Sequence, residues 1–532
     1  MEDDYEDPSF RELGAKTARR GTVFLAGKLA SALISLAILV YLTRALKPID
    51  YGLYTIVMAY SLVLGMGGNF GMGTAFRKIL PEHASNPDLA RKVISNGFFL
   101  SVSVALAIAI AGIAASPYIA LHVYGNTLIT LPLMIAAGSV VLSVIFNAAV
   151  AALVGMHRVV KSTIANIVYA VSQLVLVVLL VSLGYGILGA MVAYALSVVL
   201  GSAVALAYMA AQLGVRIARI EKKVLGEITK FSAPIVVSNV AMFGMMNFAP
   251  LLLGLYASAY VVGNYGVAFR GSRFIDLLIT SITFVLLPAF SSMLSSKELR
   301  EKAERAINSS IFYTFLLLLP IVAYIVGGAR PVVSLLFSKS YTLAPIYVSI
   351  ALVGIVLEVI WSISGTLVIG HGNTRRFMQY QLAIVSMELV ALLIFVPFYK
   401  AYGALLAIFI ITPIFAGMLY MRLLRKEFGI RISLSKPARI AISAAIIAVM
   451  LAVITFAMHQ SKYALVVNLV VLAIVYPPLL ALFKAVEGSN VKFIEDTLKG
   501  MGRPGRWTIA YLNYAKTFMR RAEDPMQRSV RE

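Results

Sequence analysis

The chain has 532 residues, of which 60% are hydrophobic and 13% charged, with a formal net charge of +22 and a mean hydropathy of +0.89. Soluble globular domains carry about a quarter charged residues and under half apolar ones, so a water-soluble fold is excluded. With no cysteine in the sequence, disulfides and thiol chemistry are excluded as well.

Apolar runs of about twenty residues, each enough to cross the hydrocarbon core, recur along almost the whole chain. Lipid offers no partner for backbone amides, so spanning segments are helices or a closed barrel. Continuous apolar runs lack the barrel's alternation, which makes the fold class an all-α integral membrane protein. The first twenty residues, with Asp3, Asp4, Glu6 and Asp7, have no apolar core, so no cleavable signal peptide is expected. Fourteen spans follow, near 21–43, 51–75, 93–115, 128–154, 162–183, 187–211, 232–256, 264–290, 308–328, 346–369, 378–398, 402–421, 438–457 and 463–483. Only "SLGYG" separates the fifth from the sixth. An even number puts both termini on one side, and charge says which. The N-terminal segment, alternate loops from 76–92 onward and the C-terminal tail hold 36 of the 46 Lys and Arg, and Arg439 stands in the first turn of the thirteenth span at the same end. The opposite loops hold six (Arg44, Lys47, Arg330, Lys339, Lys400, Lys462), and Lys28, Arg270 and Arg273 lie inside spans. The positive-inside rule makes both termini cytoplasmic, and the positive charge then suits anionic lipid head groups rather than nucleic acid.

Internal repetition adds an architecture. Gly52-Leu53-Tyr54 in the first outer turn aligns with Gly263-Asn264-Tyr265 at an offset of 211, Gly155 with Gly370 at 215, and "YGILGA" (185–190) with "YGALLA" (402–407) at 217. Chance similarity among apolar helices is the alternative. Taken as a repeat, six spans are used twice in the same orientation. This gives an N-lobe (21–214), a C-lobe (215–430), two further helices (431–485) and cytoplasmic segments at 1–20 and 486–532.

"LTRALKPIDYGLYTI" (42–56), "NFGMGTAFRK" (69–78), "KFSAPIVVSNV" (230–240) and "GNYGVAFRGSRF" (263–274) together resemble the polysaccharide-type flippases of the multidrug/oligosaccharidyl-lipid/polysaccharide exporter superfamily. The likeness covers about residues 15–425, and the two extra helices match its fourteen-span branch, which includes lipid II and O-antigen flippases. Three positions depart from the family pattern: Lys47 stands where Gly is usual, Asn69 where Asp is common, and Asn247 lacks a following Asp. The resemblance implies two six-helix lobes, a central cavity, alternating access and a polyprenyl-diphosphate-linked saccharide as cargo.

Such cargo sets a physical requirement. A diphosphate entering hydrocarbon unassisted costs on the order of tens of kcal/mol, so a polar cavity with cations must replace its hydration. Arg suits phosphate best, because its planar fork donates twice and stays charged. Arg270 and Arg273 are three apart on the eighth span and share a face, about two turns from its outer end. Arg270 has no acid at i±3 or i±4 and is the leading candidate. Arg273 has Asp276 at i+3, so an internal pair competes with a substrate role. Lys28 is read either as a cavity cation or as a residue snorkelling to the cytoplasmic surface. Asn247 and Asn69 complete the candidate substrate set.

Enzyme readings fare badly. Not one Asp or Glu occurs from Leu89 to Ile220, no G-x-x-x-x-G-K-[ST] is present, and His83, His122, His157, His371 and His459 are scattered. A membrane glycosyltransferase or polymerase is therefore disfavoured, and no cofactor or metal is expected. The nearer rival is a cation-coupled drug or small-metabolite exporter, which needs an intramembrane acid. Asp276, Glu358 and Glu388 are the candidates for sodium or proton coupling or for gating, with structural pairing to Arg as the alternative reading. "GMGGNFGMG" (65–73) lies within a span, and close helix packing through Gly67 and Gly71 is expected there. "WTIAYLNYAKTFMRRA" (507–522) fits an amphipathic helix on the inner leaflet. A monomer is expected to suffice for transport.

Overall fold

In the computed structural model, the described residues are 8–486 apart from 70, 83–85, 214–217, 292–296 and 371–373, together with positions 490, 495, 514 and 517. Among them there is no strand. The helices are α1 (Pro8–Ala45), α2 (Pro48–Gly68), α3 (Met72–Glu82), α4 (Pro87–Tyr118), α5 (Thr130–Gly155), α6 (Val159–Leu180), α7 (Gly186–Leu213), α8 (Lys222–Tyr256), α9 (Ala259–Ser291), α10 (Lys297–Gly327), α11 (Ala329–Leu336), α12 (Ala344–Gly370), α13 (Thr374–Leu405), α14 (Thr412–Leu423), α15 (Ser435–Ala457) and α16 (Tyr463–Leu482). Each of the fourteen expected spans coincides with helix. Ten helical runs among the described residues are long and apolar enough to cross a membrane, and two of them, Val159–Gln212 and Arg376–Phe428, cover two expected spans each.

Those two runs are divided by backbone reversals. After α6 the chain makes a π turn over Val181–Tyr185 and reverses at Gly186, with φ 52° and ψ −130°. Within α13 the same conformation recurs at Lys400, φ 51° and ψ −126°. Glycine adopts this region freely; a lysine there is strained. The two reversals are 214 residues apart, as are Gly189 and Gly403, whose Cβ positions would each press on a carbonyl of the preceding helix, Leu180 O and Phe395 O. Aligning the sequence motifs alone set this offset at 217.

The second span departs from a continuous helix. α2 stops at Gly68, Asn69 caps it with its backbone N–H on the Gly65 and Gly67 carbonyls, Gly71 is left-handed at φ 68°, and α3 restarts at Met72. Close packing holds at Gly67, which faces Ile108 of α4, and at Gly68, against Val140, Val144 and Ala105. Gly71 serves the turn instead, because only a residue without Cβ takes that φ at no cost. Broken helices leave backbone polar groups that lipid cannot satisfy, so such breaks occur where protein or a water-filled cavity surrounds them.

The chain divides into two compact units, residues 1–270 with 381–404, and 271–380 with 405–532. In the first, α5 is packed against α2, α3, α4 and α7. Tyr60 donates to Gly112 O at 2.8 Å and Ser61 to Ala136 O at 3.1 Å, so buried hydroxyls tie α2 to α4 and α5 where no water would serve them. In the second, α10 packs on α12 and α15, and α12 on α14. Gly354 lies flush against Phe409, and Gly327 against Leu451.

The segments aligned at offset 211 lie face to face in the first unit. A Cβ on Gly52 would strike Ala259 O, and one on Gly263 would strike Pro48 O. Pro48 and Ala259 are themselves 211 apart, so the contact is reciprocal, as a local two-fold axis between α2 and α9 requires. A Cβ on Gly266 would come within 2.7 Å of Thr55 Oγ1, another pair at that offset.

Candidate functional site

Arg270 and Arg273 both project from α9, three residues apart. Helical spacing puts them on one face, yet their surroundings differ in sign. Arg270 falls in the first unit, half-buried, with its Cζ 5.5 Å from the centroid of the Tyr54 ring. The buried Tyr51 flanks the same guanidinium, and its ring lies 5.9 Å from that of Tyr54. Among the described residues no carboxylate pairs with Arg270. A guanidinium against two phenols keeps its full charge while its flat face is covered. The tyrosines are held by the α2–α9 seam: Gly52, Gly263 and Gly266 bring the two backbones close enough for the α2 rings to reach α9. Sequence reasoning quoted these tyrosines as part of "YGLY" but gave them no role; the missing signal was the helix pairing that sets them beside Arg270.

Arg273 belongs to the second unit, and its charge is neutralised there. Its Nη1 lies 3.2 Å from Glu358 Oε2 and 3.7 Å from Asp276 Oδ2, and its Cζ is 5.5 Å from the Phe409 ring centroid. Both the internal i,i+3 pair and a pairing of Glu358 with arginine are therefore present. Glu358 is only 7% exposed, so the pair is formed where an unpaired carboxylate would be costly. Two carboxylates against one guanidinium leave no excess positive charge at Arg273.

The other candidates are dispersed. Glu388, 8% exposed, lies in the first unit and Glu358 in the second. Lys28 is exposed on α1. Asn247 is half-buried on α8. Asn69 sits at the α2–α3 break, and its Oδ1 is buried without a hydrogen-bond partner among the described residues. Apart from Tyr514 and Thr517, the proposed amphipathic helix at 507–522 lies outside the described residues. Among the described residues no cluster of three or more His, Asp or Glu could hold a metal ion.

The family model described as polysaccharide biosynthesis protein matches residues 18–294, more than half of the chain. The chain belongs to the polysaccharide biosynthesis protein family. No curated protein matches this family member. Its fold is shared with solved transporters. A lipid II flippase, MurJ, in an inward closed conformation superposes with a TM-score of 0.70 at 15% identity, covering 87% of this chain and 98% of that one. An inward-facing MATE family multidrug resistance transporter of the MOP superfamily gives 0.64 at 20% identity over 77% of this chain and 98% of its own. A MOP superfamily transporter from Pyrococcus furiosus, whose binding pocket is described as reversed in polarity, gives 0.51 at 20% identity over 77% and 95%. This polysaccharide biosynthesis family member is thus an all-α, multi-pass membrane protein with the MOP-superfamily transporter fold.

Proposed function

We propose that this protein is a flippase that moves a polyprenyl-diphosphate-linked oligosaccharide from the inner to the outer leaflet of the plasma membrane. Two lobes, the N-lobe at 21–214 and the C-lobe at 215–430, alternate access around a cationic cavity, with both termini cytoplasmic and the monomer as the working unit. The observation that carries the reading is the environment of Arg270. A half-buried guanidinium on a membrane helix, against Tyr51 and Tyr54 and paired with no carboxylate among the described residues, retains the charge that a phosphate needs. The polysaccharide biosynthesis family and the likeness to a lipid II flippase support the same cargo class. The protein carries out transport rather than a chemical transformation, and it uses no cofactor. Its basic cytoplasmic face contacts anionic lipid.

Arg273 acts in this reading as a structural partner of Glu358 and Asp276. The rival, a cation-coupled exporter, would use Glu388, a buried acid, or Glu358 with Asp276, with sodium or a proton as the coupling ion. Reconstitution discriminates the two. Arg270→Ala abolishes flipping of a lipid-linked saccharide while the protein remains folded, and Arg270→Lys restores only part, since a point charge replaces a fork. Wild-type flipping by the alanine variant refutes the assignment, and export of organic cations in place of lipid-linked saccharide favours the rival.

A further inference from the structure

At the far end of α10, away from the loops that carry most of the chain's basic residues, the second unit holds a cavity of about 250 Å³. It is lined by Arg330 and Ser334 of α11, by Ser338 and Lys339 in the turn before α12, and by His459 and Gln460 between α15 and α16. Only six of the 46 Lys and Arg lie in the loops at this end, and two of those six face this one cavity. Neither is ion-paired among the described residues. Nor could it be locally: the segments 305–357 and 428–486, which build the cavity, contain no Asp or Glu at all. The positive field is uncompensated.

The cavity is also built, in the sense that packing and hydrogen bonds fix its walls. Gly327 and Gly328, at the α10–α11 junction, lie against Leu451 of α15 and Leu465 of α16. Tyr324 donates to Leu465 O at 3.1 Å, and Asn468 to Thr455 Oγ1 at 2.8 Å, so α10, α15 and α16, which lead into the segments that line the cavity, are cross-tied. Ser338 Oγ accepts from Ser340 N at 3.3 Å, which shapes the turn holding Lys339. The α15 end is closed by His459 N donating to Phe456 O and Gln460 N to Thr455 O. Helix ends of this kind ordinarily place glycine or asparagine in the left-handed region. Here His459 and Gln460 occupy it in succession, with φ 50° and 56°. Two polar side chains are thereby kept at strained positions beside the two cations, as occurs where a ligand is held.

We propose that this cavity binds a phosphate-bearing anion. Arg330 supplies a planar fork and Lys339 a point charge, and His459, Gln460 and the rotatable hydroxyls of Ser334 and Ser338, which here donate to Pro331 O and Ser340 Oγ, supply further hydrogen-bonding groups, a set suited to phosphate oxygens. The shared chemistry is the phosphate group, which a lipid head group or a soluble phosphate can present. The site is separate from Arg270, and binding to it is read without transport, so its failure and that of the flippase reading are distinguishable.

The full chain is assayed in nanodiscs of phosphatidylcholine with inorganic diphosphate added, and in nanodiscs containing phosphatidylglycerol or a polyprenyl diphosphate. Affinity and hydrogen exchange over 336–343 and 457–462 are the readouts. Bound anion protects both loops. Arg330→Gln and Lys339→Gln each weaken binding about tenfold, and the pair about a hundredfold, whereas Lys339→Arg binds like the wild type. Binding of inorganic diphosphate identifies a soluble ligand, and binding of the lipids alone identifies a head group; either result supports the site. Melting temperatures of the variants within those of the wild type exclude unfolding as the cause, and Ser338→Ala, which removes a donor without touching charge, serves as a second variant. If no phosphate compound protects these loops, or if the double Gln variant binds as tightly as the wild type, the inference is wrong.

Discussion

Removing the Glu358 carboxylate tests whether the ion pair with Arg273 is structural or belongs to an ion-coupling device. At 3.2 Å and an effective dielectric constant near 20, the direct attraction is about 5 kcal/mol, before the cost of taking both groups out of water. Breaking a buried pair by removing one partner costs about 3–5 kcal/mol. That range must be lowered here, because the Arg273 side chain is 22% exposed and Asp276 remains at 3.7 Å to hold part of its charge. Glu358→Gln is therefore expected to destabilise the protein by about 2–3 kcal/mol. Arg273→Gln leaves two acids unmatched and costs at least as much. The double variant replaces a charged pair with two neutral amides, so it recovers about 1–2 kcal/mol of the summed loss. Unfolding of the four proteins in mixed micelles, followed by reversible SDS titration, gives the coupling energy directly. Transport is measured on the same set. If the pair is structural, the double variant flips substrate at near the wild-type rate; if Glu358 couples an ion, it fails as completely as the single variant. A coupling energy below about 0.5 kcal/mol, within the range of independent sites, refutes the structural pairing.

Further outcomes follow from the seam, the tyrosines and the field across the membrane. Gly263→Val drives a branched side chain into Pro48 O and Gly52 N, the latter already 3.1 Å from a bare Cβ, so a loss of about 1–3 kcal/mol is expected in the same titration; an unchanged midpoint contradicts the close α2–α9 approach. Tyr54→Ala removes the ring over Arg270 and is expected to reduce flipping several-fold, while Tyr54→Phe keeps the ring and most of the rate; equal loss in both would assign the effect to the hydroxyl. A saccharide diphosphate carries about two negative charges, and each charge crossing 100 mV is worth ~2.3 kcal/mol. An inside-negative potassium-diffusion potential should therefore speed outward flipping in proteoliposomes at fixed pH and sodium. A rate that follows only a sodium or pH gradient rejects this mechanism.

The sequence by itself determined the class of molecule and the order of its helices. Twenty-residue apolar runs permit little besides membrane helices, and this local constraint placed each expected span on helix, including the fifth and sixth on either side of a five-residue reversal. It also marked Arg270 and Arg273 as the exceptional charges, since an arginine inside such a run stands out against its neighbours. Tertiary structure decided what each arginine meets. The two look alike three residues apart on one helix, yet Glu358, eighty-five positions beyond Arg273, neutralises it, and Tyr54, more than two hundred positions before Arg270, covers its face without removing its charge. The break at Asn69–Gly71 was hidden for the same reason: hydropathy averages over twenty residues and cannot register one left-handed glycine. The cavity at Arg330, Lys339 and His459 was likewise invisible, because its walls come from turns more than a hundred residues apart. Composition and periodicity act along the chain, whereas charge pairing and cavity shape depend on distances through space that only the packing of the helices sets.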